Sequence, residues 1–115
     1  MRIHALLEDA DGLIALAESI ATVLSEKRDE LGIRTDVETL LCSSIAAATN
    51  AINTYLSDLV HTKKSPMRRR YLAEARRRCR RSVEQLRRRV RHSIAHFSRL
   101  MDEKRLLRSV EYAPP

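Results

Sequence analysis

The sequence predicts an all-α fold, an antiparallel helical bundle of three long helices, and three observations carry that prediction. Only 2 Gly and 3 Pro occur in 115 residues, so the chain lacks the turns that a β-sandwich or barrel needs about every 8–12 residues. Apolar residues instead recur at spacings of three and four through three long stretches. Hydrophobic side chains make up 43% of the chain, enough to build a core and too many for wholesale disorder. The length sets one helical-bundle domain over residues 1–115.

The first helix is expected over residues 3–31. Ile3, Leu6, Leu7, Ala10, Ile14, Ala17, Ile20, Ala21 and Leu24 form its apolar stripe. Gly32 is a natural residue to close it, with Lys27 and Arg28 near the negative end of the helix dipole. A second helix should span residues 36–60, capped by Thr35 or Asp36, and Thr35 with Glu38 fits a capping box. Its stripe is Val37, Leu41, Ile45, Ala48, Ile52, Leu56 and Leu59, with Asn50 and Asn53 pointing outward. Ser65 followed by Pro66 marks the start of a third helix over residues 66–110.

Along that third helix Leu72, Ala75, Cys79, Val83, Leu86, Val90, Ile94, Phe97 and Met101 follow one another at steps of three or four. The mean step stays close to the helical repeat, so a straight helix keeps them on one face. Cys79 then reads as a small buried side chain and not as a reactive thiol. At the helical rise this element is about 67 Å long, against about 43 Å for the first. Either it breaks after Arg91 into a short fourth helix, or its last turns overhang and pack in an oligomer. The tail from Tyr112 to Pro115 is expected to fray.

Charge is distributed unevenly. Residues 1–31 hold three basic and seven acidic side chains, a net of −4, whereas residues 63–115 hold 18 basic against five acidic, a net of +13. Most of the basic side chains in that second segment are arginines, whose planar fork binds pairs of phosphate oxygens. Turning 100° per residue from the apolar stripe, Arg70, Arg77, Arg81, Arg88 and Arg99 fall on a line opposite the core. Arg69, Arg76, Arg80, Arg87 and Arg91 fill one flank, and Arg78 and Arg89 the other. From Arg70 to Arg99 the line is about 43 Å long. Such a row suits the phosphates of a duplex or a structured RNA. Tyr71 is the one aromatic among these arginines, so stacking platforms for single strands are not supported. Gln85 is the lone candidate for reading a base edge, so binding should rest on backbone charge and shape. A solvated basic face paired with the acidic first helix is the competing explanation.

Other chemistries find little support. His92 and His96 share a helix face without the glutamate of a zinc H-E-x-x-H motif or a third ligand at suitable spacing, so no metal and no cofactor is expected and the histidines should be solvated. Glu84, Asp102 and Glu103 are not spaced as a hydrolytic carboxylate pair, and no Gly-rich phosphate loop occurs. No stretch of 18 apolar residues is present, and Glu8, Asp9 and Asp11 interrupt the first turns, so neither a membrane span nor a signal peptide is expected. Two cysteines make no disulfide framework, which points to a cytoplasmic setting.

Two short motifs resemble known families. Arg91-His92-Ser93-Ile94-Ala95-His96 resembles the R-[N/D/H]-x-x-x-H signature of the HEPN superfamily, small helical domains that often act as metal-independent ribonucleases. That resemblance implies Arg91 at the scissile phosphate, His96 in acid–base catalysis, and a site built across a dimer. In a continuous helix, however, the two residues stand about 140° apart. Arg28-Asp29-Glu30-Leu31-Gly32-Ile33-Arg34 resembles a corner of the four-helix accessory proteins of retroelements, which bind RNA. The Gly-Trp pattern of that family is absent, so no function is carried over from it.

The sequence therefore supports a non-enzymatic, nucleic-acid-binding accessory subunit of a nucleoprotein complex, with RNA favoured over DNA and a homo-oligomer or a protein partner expected. A HEPN-like ribonuclease of a toxin or phage-defence system is the alternative, and a protein–protein adaptor a third reading.

Overall fold

The computed structural model describes residues 3–61 and 68–111, and three helices account for nearly all of them. α1 runs Ile3–Leu31, α2 Thr35–His61 and α3 Arg68–Glu111. Each packs against both of the others, and no strand occurs among the described residues. The expected helix start at Ser65-Pro66 and the tail from Tyr112 lie outside the described residues. The molecule is long and flat, measuring 78 × 24 × 16 Å.

The corner between α1 and α2 is built by Gly32, whose φ of 66° is a conformation that a Cβ would penalise. The Ile33 amide donates back to the Arg28 carbonyl at 3.0 Å, closing a Schellman turn, and Ile33 is buried beneath it. Glu38 does not close the expected capping box with Thr35. Its carboxylate accepts a fork from Arg28 Nε at 2.8 Å and Nη2 at 2.6 Å, tying the end of α1 to the start of α2. Glu38 is turned into the corner, where that fork is the stronger partner.

Two clusters form the core. Leu24, Leu41, Leu86 and Val90 lie near the α1–α2 corner, and Leu6, Ile52, Tyr55, Cys79 and Val83 toward the other end. Burying each of the fully covered leucines contributes about 1.5–3 kcal/mol. On α2 the expected stripe is displaced by one residue near its end: Tyr55 is 1% exposed and Leu56 41%. Tyr55 shares its cluster with the small Ala75 and Cys79 of α3, which leave room for the ring. Cys79 is buried as expected, its thiol donating to the Ala51 carbonyl at 3.1 Å.

α3 is unbroken from Arg68 to Glu111, so no fourth helix forms after Arg91. At about 66 Å by helical rise it outruns the other two helices. Glu30 at the end of α1 meets Lys104 at 3.0 Å, which leaves the last turns of α3 overhanging with Leu106 and Leu107 exposed. The buried stripe on α3 also departs from expectation. Ile94 is exposed and Met101 largely so, while Ser93 and His96 are buried in their place. The cause is that α3 packs against two helices, so its covered arc widens to both sides of one stripe.

Candidate nucleic-acid interface

The arginine positions on α3 follow directly from the helix that carries them. With Cys79, Val83, Leu86 and Val90 turned inward, Arg70, Arg77, Arg81, Arg88 and Arg99 are exposed on the opposite side. Arg69, Arg76, Arg78, Arg80 and Arg91 are exposed on the flanks, whereas Arg87 and Arg89 are half-buried. The twelve arginines between Arg68 and Arg91 lie on a single rigid element, so their spacing is fixed by the backbone and not by loops.

Carboxylates are scarce along this face. Glu74 alone serves three guanidiniums, Arg81 at 3.3 Å, Arg78 at 3.7 Å and Arg77 at 3.8 Å. Glu84 pairs with Arg87. Both acids belong to α3 itself, so Arg77, Arg78, Arg81 and Arg87 are partnered within their own helix. Arg70, Arg88 and Arg99 make no ion pair among the described residues. Exposed pairs of this kind contribute only about 0–1 kcal/mol, because water and salt screen them. The face is thus a line of positive charge that two glutamates cannot neutralise.

Next to it, between α2 and α3, Asn50, Thr54, Asp58, Tyr71, Glu74 and Arg78 line a cleft of about 180 Å³. Tyr71 is exposed at its edge, a single ring and not a stacking platform. Gln85 is half-buried and, with its amide oxygen turned toward Arg89, accepts from Arg89 Nη2 at 3.0 Å. In that orientation its amide oxygen is held by Arg89, which turns the lone base-reading candidate toward its own helix.

The structure keeps the two residues of the HEPN-like motif apart within one chain. Arg91 is exposed on the flank facing α1, whereas His96 is 7% exposed and turned toward the α1–α2 corner. His96 is therefore not the solvated histidine the sequence suggests, and its Nε2 is buried without a hydrogen-bond partner. Burial first, then the charges of Arg99, His92 and Arg34, hold its pKa below the ordinary histidine range. A neutral imidazole in the core is the result. Among the described residues no group of three His, Cys, Asp or Glu side chains is placed to hold a metal ion. Burial raises the Cys79 thiol pKa, which leaves it a packing group.

No helix among the described residues is long and apolar enough to cross a membrane. No protein-family model, curated protein or solved structure matches the chain.

Proposed function

We propose that the protein binds nucleic acid, structured RNA in preference to DNA, as a non-enzymatic subunit of a nucleoprotein assembly. The observation that carries this reading is the outward line of α3, where Arg70, Arg77, Arg81, Arg88 and Arg99 are exposed on one rigid helix with two glutamates, Glu74 and Glu84, between them. A row about 43 Å long that offers guanidiniums and almost no base-reading groups suits a ligand recognised by backbone and shape. Double-stranded RNA is such a ligand, because its deep major groove hides the bases and leaves phosphates and 2′-hydroxyls to be read. The separation of Arg91 from the buried His96 supports binding over cleavage.

The test is fluorescence anisotropy of labelled RNA hairpin, DNA duplex and single strand between about 50 and 200 mM salt. Affinity for the hairpin should fall steeply, with log K losing about 0.9 per phosphate contact for each unit of log salt. Replacing Arg70, Arg77, Arg81 and Arg88 by Gln should weaken all sequences alike and flatten that slope by about 3 to 4. A wild-type affinity indifferent to salt would falsify the reading. The same samples in EDTA should retain intact RNA; cleavage lost in both Arg91→Ala and His96→Ala would promote the ribonuclease alternative instead.

A further inference from the structure

α1 and α3 run side by side in the same direction, with Glu30 level with Lys104 and Ile20 level with Ile94. Between them a groove remains uncovered. Leu16 on α1 and Ile94 on α3 are 48% and 47% exposed, and Val23 and Met101 are also exposed along the same groove. Ile20 and Phe97 form its half-buried floor, around a wholly apolar cavity of about 240 Å³. The Ser93 hydroxyl lies buried in this floor without a hydrogen-bond partner. Isolated exposed leucines are ordinary, but a contiguous strip along two helices marks an interaction surface.

We infer that a second copy of this chain covers the groove, each copy laying its α1 on the α3 of the other. Charge selects that occupant and that arrangement. The α1 edge carries Glu8 and Glu26, the α3 edge Arg91 and Arg105, and all four are exposed. A two-fold axis along the groove sets acidic edge against basic edge twice. The other face-to-face pairing lays α1 on α1 and α3 on α3, opposing like charges along both seams. A nucleic acid offers no aliphatic surface for the strip, and an anionic membrane attracted by α3 is repelled by the net −4 of residues 1–31. The exposed apolar strip from Leu16 to Met101 runs about 17 Å along the two helices, a compact patch that the charged edges flank on both sides. The outward line from Arg70 to Arg99 stays free in such a dimer.

Sedimentation velocity on purified protein, without RNA, tests this independently of what binds the arginine line. Wild type should sediment as a dimer, and Val23→Asp with Ile94→Asp, both at exposed positions, should raise the dimer Kd by about 100-fold or more while circular dichroism stays helical. Two charge-reversed proteins sharpen the test. Glu8→Lys with Glu26→Lys, and separately Arg91→Glu with Arg105→Glu, should each weaken self-association by about 10-fold or more. Mixed in equal amounts they should pair, because each supplies the edge the other lacks. A monomeric wild type, a larger oligomer, or charge-reversed proteins that self-associate as well as wild type would overturn the inference, as would association seen only with anionic vesicles.

Discussion

α2 and α3 pack against each other and bury one face each, but their outward faces have almost nothing in common. Between Thr39 and Ser57 α2 carries no charged side chain, and its exposed positions are Ala, Ser, Thr, Asn and Cys with a few leucines. α3 presents twelve arginines between Arg68 and Arg91. Both meet the same folding requirement through the same kind of buried stripe, so neither outer face is dictated by the fold. The neutral face of α2 shows that this chain can solvate a helix without charge. The arginines of α3 therefore call for an explanation outside the bundle, which is why an anionic partner is the economical reading.

The largest expected effect checks the premise that the inward faces are equivalent. Leu41 on α2 and Leu86 on α3 are both fully buried in the same cluster. Leu41→Ala and Leu86→Ala should each cost about 2–5 kcal/mol in urea unfolding, since both remove buried methyl groups and leave a cavity. If either costs less than about 1 kcal/mol, the two helices do not share one core and the comparison of their outer faces loses its footing.

These inward faces were largely legible in the sequence. The ends of α1 and α2 fall within one residue of the periodic stretches, because Gly32 permits only one sharp reversal there. The burial of Cys79 followed from its place in the stripe. What the periodicity could not show is that each helix faces two neighbours and not one. A single stripe selects Leu56 and Ile94 by hydrophobicity, whereas packing selects Tyr55, because α3 opposes it with Ala75 and Cys79, and leaves Ile94 at the α1–α3 groove. His96 was misread as solvated for the same reason: its position is outside the stripe but inside the arc that α3 turns toward the corner. The arginine line was legible because it depends only on helical geometry. The sharing of Glu74 among three arginines was not, since it depends on rotamers.

His96 offers a smaller and pH-dependent test on the one histidine of α3 that the core encloses. It is surrounded by Arg99 and His92 on α3 and by Arg34 and Asp36 at the corner, and its pKa is lowered chiefly by burial. The unfolded chain, with its histidine near pH 6.5, then binds a proton more readily than the folded one. Stability should accordingly be at its full value above about pH 6.5 and decline as the pH falls below it. Thermal melts from pH 8 to pH 5 should show this decline in wild type and less of it in His96→Leu. An identical pH profile in the two proteins would mean that His96 titrates as if solvated.

The smallest expected effect bears most directly on why α2 and α3 differ. If the arginine line is there for a ligand, it should give the free protein no stability, and its like charges should cost a little. Glu74 offsets part of the repulsion around Arg77, Arg78 and Arg81, but these pairs are exposed and weak. Arg70, Arg88 and Arg99 have no such partner among the described residues. Single replacements of Arg70 and Arg88 by Gln should therefore change unfolding free energy by no more than about 0.5 kcal/mol, with a slight gain at low salt. That gain should vanish at about 1 M salt, where the Debye length is roughly 3 Å and neighbouring guanidiniums no longer sense one another. The opposite pattern, in which each Gln lowers stability and salt does not alter the loss, would show that the arginines hold the bundle together. The contrast between the two helices would then be a matter of folding after all.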